Sequence, residues 1–315
     1  MATTVLQTES LTKRYGSLTA VDDLSLEVYE GEVLGFLGPN GAGKTTSINM
    51  MCGLLKPDKG HVLLHGKALN GGDKRGRSRV GMCPQDIVVW ERLTCIEQLQ
   101  FVGQMYGLKG KQARKNGENL LVELDLTEKR DKQARTLSGG MQRRLNLALA
   151  LVHDPEIVVL DEPEAGLDPQ SRLKVREYIH SLSRLKTIIL TTHNMDEAER
   201  LADRVAIIDH GRLLVLDTPE ALKRRVGEGD VLEMNLSGQE IEDEQIEAAL
   251  ASLHGQLEAS ITGKTLMVRA LNVVNLLPPI LDLLNGLGVQ PGEVRLRQNS
   301  LEDVFIQLTG RRLRQ

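Results

Sequence analysis

Five apolar residues without a polar break, Val33-Leu34-Gly35-Phe36-Leu37, run straight into Gly38-Pro39-Asn40-Gly41-Ala42-Gly43-Lys44-Thr45-Thr46. A short apolar run without alternation suits a strand buried on both faces, as in a parallel sheet. The loop after it satisfies the G-x-x-x-x-G-K-T pattern, in which glycines turn backbone N–H groups inward and the next helix adds its positive end. That combination is built to surround phosphate groups: Lys44 would reach the β- and γ-phosphates, and the Thr45 hydroxyl would ligate Mg²⁺. Few chains outside a parallel α/β sheet can accommodate this strand, loop and helix in direct succession.

Further apolar runs, Ile157 to Leu160, Thr187 to Leu190 and Val205 to Ile208, repeat the strand signal. A helical pattern from Leu173 to Leu185 lies between two of them, with Asp168 placed as cap and Pro169 at the first helical position. Strand–helix–strand at this spacing is the unit of a doubly wound sheet. The long insertion between the first two strands ends in a mostly helical stretch, 97–152, broken near Gly107-Leu108-Lys109-Gly110, which reads as a helical subdomain of about 87–152. Residues 1–219 therefore form one domain. After a short helix (220–226) and Gly227-Glu228-Gly229, residues 220–315 read as a second domain: strand 231–236, helix 240–253, strands 256–261 and 264–270, helix 273–287, strand 293–297 and helix 300–308. That β-α-β-β-α-β order is the ferredoxin-like pattern with one added helix. Pro278-Pro279 should kink or cut the second helix. The fold class is α/β with a small α+β C-terminal domain.

Composition excludes several classes. No apolar run approaches the roughly 18 residues needed to cross a bilayer. Met1 to Thr12 lacks the apolar stretch of a secretory signal, and Cys52, Cys83 and Cys95 are spaced for neither a disulfide framework nor a zinc site. The expectation is a reduced, cytosolic chain. A net charge of −4 gives no broad basic footprint, so no nucleic acid partner is expected. Lys74 to Arg79 reads as a basic exposed loop, and Arg311, Arg312 and Arg314 as a solvated tail.

Three more segments carry chemistry. The strand Ile157 to Leu160 ends in Asp161-Glu162, where Asp161 suits a Mg²⁺ water shell and Glu162 is placed to polarise an attacking water. Leu137-Ser138-Gly139-Gly140-Met141-Gln142 precedes a helical run, so Ser138 caps that helix and its glycines allow an anion to approach; a cap alone would also explain the serine. His193 stands at the tip of the strand Thr187–Thr192, near the expected γ-phosphate. His61, His65, His153, His180, His210 and His254 read as structural; His61 and His65 lack a third metal ligand.

In order along the chain stand Tyr15 in Lys-Arg-Tyr-Gly, the phosphate loop, Gln85, Leu-Ser-Gly-Gly-Met, Asp161-Glu162, Gly166-Leu167-Asp168 and His193. From about Val5 to Asp217 this resembles the nucleotide-binding subunit of an ATP-binding cassette (ABC) transporter, a P-loop NTPase cassette with a helical subdomain. The resemblance implies ATP and Mg²⁺ as ligands. Tyr15 would stack on adenine, and Gln85 would touch Mg²⁺ and the attacking water while sensing a membrane partner. Glu162 would be the general base, and His193 would hold the γ-phosphate. Ser138, Gly139, Gly140 and Asp168 would meet a second copy in a homodimer that sandwiches two ATP molecules. Met141 stands where many members carry Gln, and Glu164, after Pro163, adds a third acid expected near the nucleotide that replaces neither carboxylate, so hydrolysis is still expected.

The tail from Gln298 to Arg311 resembles that of daunorubicin-resistance-type export ATPases; its helix should pack Leu301, Val304, Phe305 and Leu308 on its own domain. The implied function is hydrolysis of ATP to energise a separately encoded permease for export of a small molecule, lipid or glycan, at the cytoplasmic face of the membrane. Coupling would fall just after Gln85, where Trp90 is either an exposed anchor or a buried packing residue. The alternative is a soluble ATPase acting on ribosomes or DNA, which usually carries two cassettes or a long coiled coil; this chain has neither. The second domain would act as a ligand-binding regulator or as a dimer stabiliser.

Overall fold

The computed structural model describes residues 3–69, 76, 78–183, 185–227, 229–238, 243–251, 257–271 and 273–310. Lys74, Arg75 and Arg77 of the basic stretch, Glu228 of the interdomain segment, His254 and the arginines after Gly310 lie outside them. Contacts divide the chain into two compact units at Pro219 and Glu220.

In the first unit, β3 (Val33–Leu37), β6 (Val80–Cys83), β7 (Ile157–Asp161), β8 (Thr187–Thr192), β9 (Arg204–Asp209) and β10 (Arg212–Asp217) make a sheet ordered β10-β9-β3-β8-β7-β6, parallel except for β10. Every residue of β3, β7 and β8 is buried, which is why these runs show no alternation. Val33, Val158, Leu160, Ile188 and Leu190 face one core and Leu34, Phe36, Val159 and Ile189 the other. An antiparallel sheet, ordered β2 (Leu18–Tyr29), β1 (Thr4–Tyr15), β4 (Lys59–Leu64) and β5 (Lys67–Ala68), covers the second core together with α1 (Lys44–Met51).

The other core is closed by helices. α2 (Cys95–Met105) starts at a Thr94–Glu97 capping box, and α3 (Gly110–Glu123) follows the break at Gly107. α4 (Gly139–Leu151) is buried along most of its length. α5 (Pro169–Leu182) is capped by Asp168, whose carboxylate accepts from the Ser171 N–H, and ends three residues before the expected Leu185. α6 (Met195–Leu201) follows β8. His61 and His65 pair with Glu9 and Glu156 at 2.7 and 2.8 Å, and no metal-ligating cluster occurs among the described residues. No described helix is long and apolar enough to cross a membrane.

In the second unit, after α7 (Pro219–Arg225), β11 (Asp230–Gly238), β12 (Leu257–Thr262), β13 (Thr265–Ala270) and β14 (Val289–Arg297) form an antiparallel sheet ordered β12-β13-β11-β14, with α8 (Asp243–Ala251) and α9 (Val273–Gly286) sharing its core. This is the ferredoxin-like arrangement. Of the expected kink or cut at Pro278-Pro279 the cut does not occur, and one strand boundary moves. α9 runs unbroken through Pro278 and Pro279, because Val273, Ile280 and Leu284 are buried against the sheet and hold the turns that two missing N–H donors weaken. β14 begins four residues early, through Pro291, whose lack of an N–H an edge strand tolerates because one of its sides has no ladder to complete.

The final helix, α10 (Leu301–Thr309), opens on a Ser300–Asp303 capping box, and Asp303 also takes a two-pronged bond from Arg297 at 2.6 and 2.9 Å. Leu301, Val304 and Phe305 are buried as expected, but Leu308 is not; the buried stripe stops one turn before the Gly310 end.

His153, at the end of the α4 turn, is buried and stacks on Tyr106 with ring centroids 3.7 Å apart. Burial pushes its pKa down to about 4, so the folded chain keeps it neutral while the unfolded chain takes a proton near 6.5. Its contribution is intact above pH 6.5 and is lost as the pH falls from there toward 4. On urea unfolding, wild type should lose about 3 kcal/mol more than His153→Phe across that window. Parallel pH slopes for the two proteins would contradict this.

Candidate active site

Parallel pairing sets the site. Leu37 lies opposite Thr192, and Asp161 opposite Thr191, so the C-terminal ends of β3, β8 and β7 reach one edge at one level. Ligands in open α/β sheets gather at such an edge. The phosphate loop leaves β3, Asp161-Glu162 leave β7, and His193 leaves β8, the strand between them.

Gly43 caps α1 in the left-handed region at φ 98°, and a Cβ there would stand 2.3 Å from the Ala20 carbonyl oxygen, so only glycine fits this turn. Lys44 Nζ donates to the Gly38 and Pro39 carbonyls at 2.7 and 3.2 Å and lies 3.8 Å from Glu162 Oε1. Burial lowers its pKa, against the pull of Glu162 and Asp161. An ammonium held inside its own loop needs an anion to complete its shell, and a phosphate supplies one.

Thr45 Oγ1 lies 3.3 Å from Asp161 Oδ2, while Thr191 Oγ1 donates to Asp161 Oδ1. Glu162 is 7% exposed and gathers two partners: Gln85 Nε2 donates to Oε2 at 3.2 Å, and His193 Nδ1 lies 3.0 Å from Oε1. Its backbone is strained, at φ 46°, a conformation worth about 1–3 kcal/mol in cost for a non-glycine residue. The Glu162 N–H is anchored by the carbonyl and hydroxyl oxygens of Thr191, at 3.1 and 3.0 Å.

A cleft of about 460 Å³ opens over the loop, lined by Tyr15, Asn40, Lys44, Thr46, Gln85 and Glu162 among others. Tyr15 is half exposed at its mouth, so an aromatic face is open to a base, while Lys13 Nζ, 5.8 Å from the ring centre, is paired with Asp58 at 3.0 Å. His210, which the sequence suggests is structural, lines the same cleft.

Ser138, Gly139, Gly140 and Asp168 are not among the residues lining it. Ser138 caps α4 by accepting from the Met141 N–H at 3.4 Å, and Ser138 and Gly139 are exposed. A Cβ on Gly140 would stand 2.2 Å from Ser171 Oγ, whose hydroxyl donates to Asp168 at 2.6 Å; the starts of α4 and α5 are thus packed side by side. They form a second cluster of helix N-termini facing outward on the same chain.

Glu164 departs from expectation. It is buried, and Arg176 grips it with two bonds, Nε to Oε1 at 2.8 Å and Nη2 to Oε2 at 2.6 Å. Its charge is spent on α5 and adds no bare carboxylate to the cleft. Trp90 is exposed and packs edge-on to Phe101, centroids 5.6 Å apart.

Several contributors escape a reading of the sequence. Thr191 orders both carboxylate positions from within its strand. Glu197 accepts from Thr192 Oγ1 at 2.6 Å behind His193, and burial, with the charges of Glu164 and Glu162, pushes its pKa up to about 7 despite Arg176. Arg143 is buried beneath the site, donating to five main-chain carbonyls. Arg144 and Asn146 are buried on the same helix, so the sequence signal is a cluster of polar residues at the start of a run that turns apolar after them.

Comparison with known proteins bears on all of this. The family model described as ABC transporter matches residues 21–165. Nod factor export ATP-binding protein I of Ralstonia nicotianae is 41% identical over 99% of this chain and 96% of its own length. Daunorubicin resistance ATP-binding protein DrrA2 of Streptomyces coeruleorubidus is 37% identical over 98% and 95%. Among solved structures, the ATP-binding subunit of an ABC transporter superposes with a TM-score of 0.64 at 29% identity, over 70% of this chain and 93% of that one. A dimeric post-hydrolysis cassette bound to ADP and Pi superposes with a TM-score of 0.62 at 25% identity, over 68% and 98%. Relatives this similar, aligned along nearly the whole of both chains, place it in a family: the chain belongs to the ABC transporter family, as an ATP-binding subunit of the daunorubicin-resistance type.

Proposed function

We propose that this chain hydrolyses ATP as a homodimer and so energises a separate membrane permease that exports a small molecule, lipid or glycan. The observation that carries the reading is the division of labour within one chain: a cleft holding Lys44, Thr45, Gln85 and Glu162, with Asp161 3.3 Å from Thr45, and an outward-facing cluster of Ser138, Gly139 and Asp168 with Gly140 buried behind them. Each is half of a phosphate site, and a second copy turned about a two-fold axis supplies the missing half to both. The dimeric ADP-bound cassette among the structural relatives supports this arrangement. The relatives named for Nod factor export and daunorubicin resistance support an exporter.

In the cleft, Tyr15 stacks on adenine while the loop from Gly38 to Thr46 surrounds the phosphates. Lys44 turns from its own carbonyls to the β- and γ-phosphates. The oxygen donors of Thr45, Gln85 and Asp161 suit a hard divalent cation, and Mg²⁺ there would neutralise charge on the phosphates. Glu162, fixed between Gln85 and His193, accepts a proton from the water that attacks the γ-phosphorus as the bond to ADP breaks. His193 holds the γ-phosphate oxygen. Loss of that phosphate removes the contacts that close the dimer, which biases a two-state element.

Glu162→Gln should reduce turnover by at least about 100-fold, the scale of a general base, while ATP binding stays and gel filtration shows a trapped dimer. A monomer under saturating ATP and Mg²⁺ would contradict the sandwich. Lys44→Ala should weaken nucleotide affinity by about tenfold to a hundredfold, the worth of one charge-assisted bond. Wild-type affinity in that variant would remove Lys44 from its role.

The permease would dock where apolar side chains stand exposed just beyond Gln85: Ile87, Val88 and Trp90, with Phe101 and Met105 on α2. Aromatic anchors of this kind carry interface energy. Tagged Glu162→Gln with ATP should recover a multi-spanning protein in stoichiometric amount from detergent-solubilised membranes of its host, and adding Trp90→Asp should cut that recovery about tenfold, the loss of one anchor. Recovery of ribosomal or DNA-associated proteins instead would overturn the exporter reading.

A further inference from the structure

Arg143 lies one helical turn past Gly139 on α4 and is 3% exposed. A guanidinium has five N–H donors, and here each meets a different main-chain carbonyl. Nε donates to Pro163 at 3.0 Å, Nη1 to Pro84 and Gln85 at 2.8 and 2.7 Å, and Nη2 to Asp161 and Glu162 at 2.9 and 2.7 Å. Those carbonyls belong to two segments, one leaving β6 with Gln85 and the other leaving β7 with Asp161 and Glu162. They are the segments whose side chains meet at 3.2 Å, Gln85 to Glu162.

Asn146, three residues further along the same helix face, extends the grip. Its Oδ1 accepts from the Val88 N–H at 3.2 Å, and its Nδ2 lies 3.4 Å from the Pro84 carbonyl oxygen. The segment from Pro84 to Val88 therefore hangs from α4 at both ends.

The strained peptide at Glu162 explains why such a fixture is needed. A residue held at φ 46° relaxes unless its neighbours over-determine it. Thr191 holds its N–H, and Arg143 holds its carbonyl oxygen. Lysine could not replace this arrangement, since its three donors radiate from one atom rather than from a planar fork.

We propose that Arg143, assisted by Asn146, is a positioning residue through which the seating of α4's N-terminus on a second copy sets Gln85 and Glu162 in the same chain's own cleft. This rests on the homodimer reading above. α4 is a rigid, buried helix that begins at the Ser138–Gly140 cluster. A shift of that end on engaging the opposing nucleotide moves Arg143, and with it both segments that it holds. Hydrolysis in one cleft thereby depends on occupancy of the other, and the two sites act cooperatively.

The test is steady-state ATPase of the purified full chain as a function of ATP, in excess Mg²⁺, alongside binding of trinitrophenyl-ATP. Wild type should give a Hill coefficient above 1. Arg143→Lys should lower kcat at least tenfold and bring the Hill coefficient to 1, with nucleotide affinity within threefold of wild type. Asn146→Ala should move both readouts the same way by a smaller factor, and decides the matter if the arginine variant does not fold. A Hill coefficient of 1 in wild type, or variants that lose kcat while keeping wild-type cooperativity, would overturn the proposal. Failure of the homodimer reading is separate: there the Glu162→Gln protein stays monomeric with ATP, whereas failure of this inference alone leaves that dimer intact.

Discussion

The parallel register of β3, β8 and β7 is the constraint on which the rest of the molecule depends. Because Leu37 pairs with Thr192 and Thr191 with Asp161, three loops of different chemistry start at one height on one sheet edge. A slip of one residue in any pair would turn its strand over and send the terminal side chain to the opposite core. The two cores guard against this, since alternate residues of each strand are committed to different layers. Precision in the cleft is thus drawn from hydrophobic packing on both faces of the sheet.

On that frame the electrostatics are arranged to be incomplete. Lys44 leans on carbonyls of its own loop, and Asp161 and Glu162 are held by hydroxyl, amide and imidazole groups that leave room for a ligand. Glu164, in contrast, is fully paired with Arg176 and takes no part. Two acids two residues apart thus have opposite fates, set by whether a guanidinium from α5 reaches them. The same incompleteness recurs at Ser138–Gly140, where a helix start packed against the Asp168 cap faces outward.

Much of this was legible in the sequence because it is local. The phosphate loop declares itself through glycine spacing and a preceding apolar run, and the buried strands through their lack of alternation. The caps at Asp168 and Ser138 follow from residue type next to a helical pattern. What escaped is tertiary. Arg143 looks like any helix-surface arginine until β6 and β7 supply its carbonyls. Glu164 looks like a bare acid until Arg176 arrives from twelve residues away. Pro278 and Pro279 should break a helix in isolation, and only the apolar face beneath α9 says otherwise.

The homodimer we propose requires the outward cluster of one copy to complete the cleft of another. Mixing two disabled chains tests it most directly: Ser138→Arg, with its cleft intact and its outward cluster blocked, and Lys44→Ala, with the reverse. Neither chain should hydrolyse ATP alone, and the mixture should regain turnover, because each mixed dimer holds one complete site, at a rate about tenfold or more below wild type because α4 of the Ser138→Arg chain stays unseated. Full activity of Ser138→Arg by itself, or no recovery on mixing chains that do associate, would contradict it.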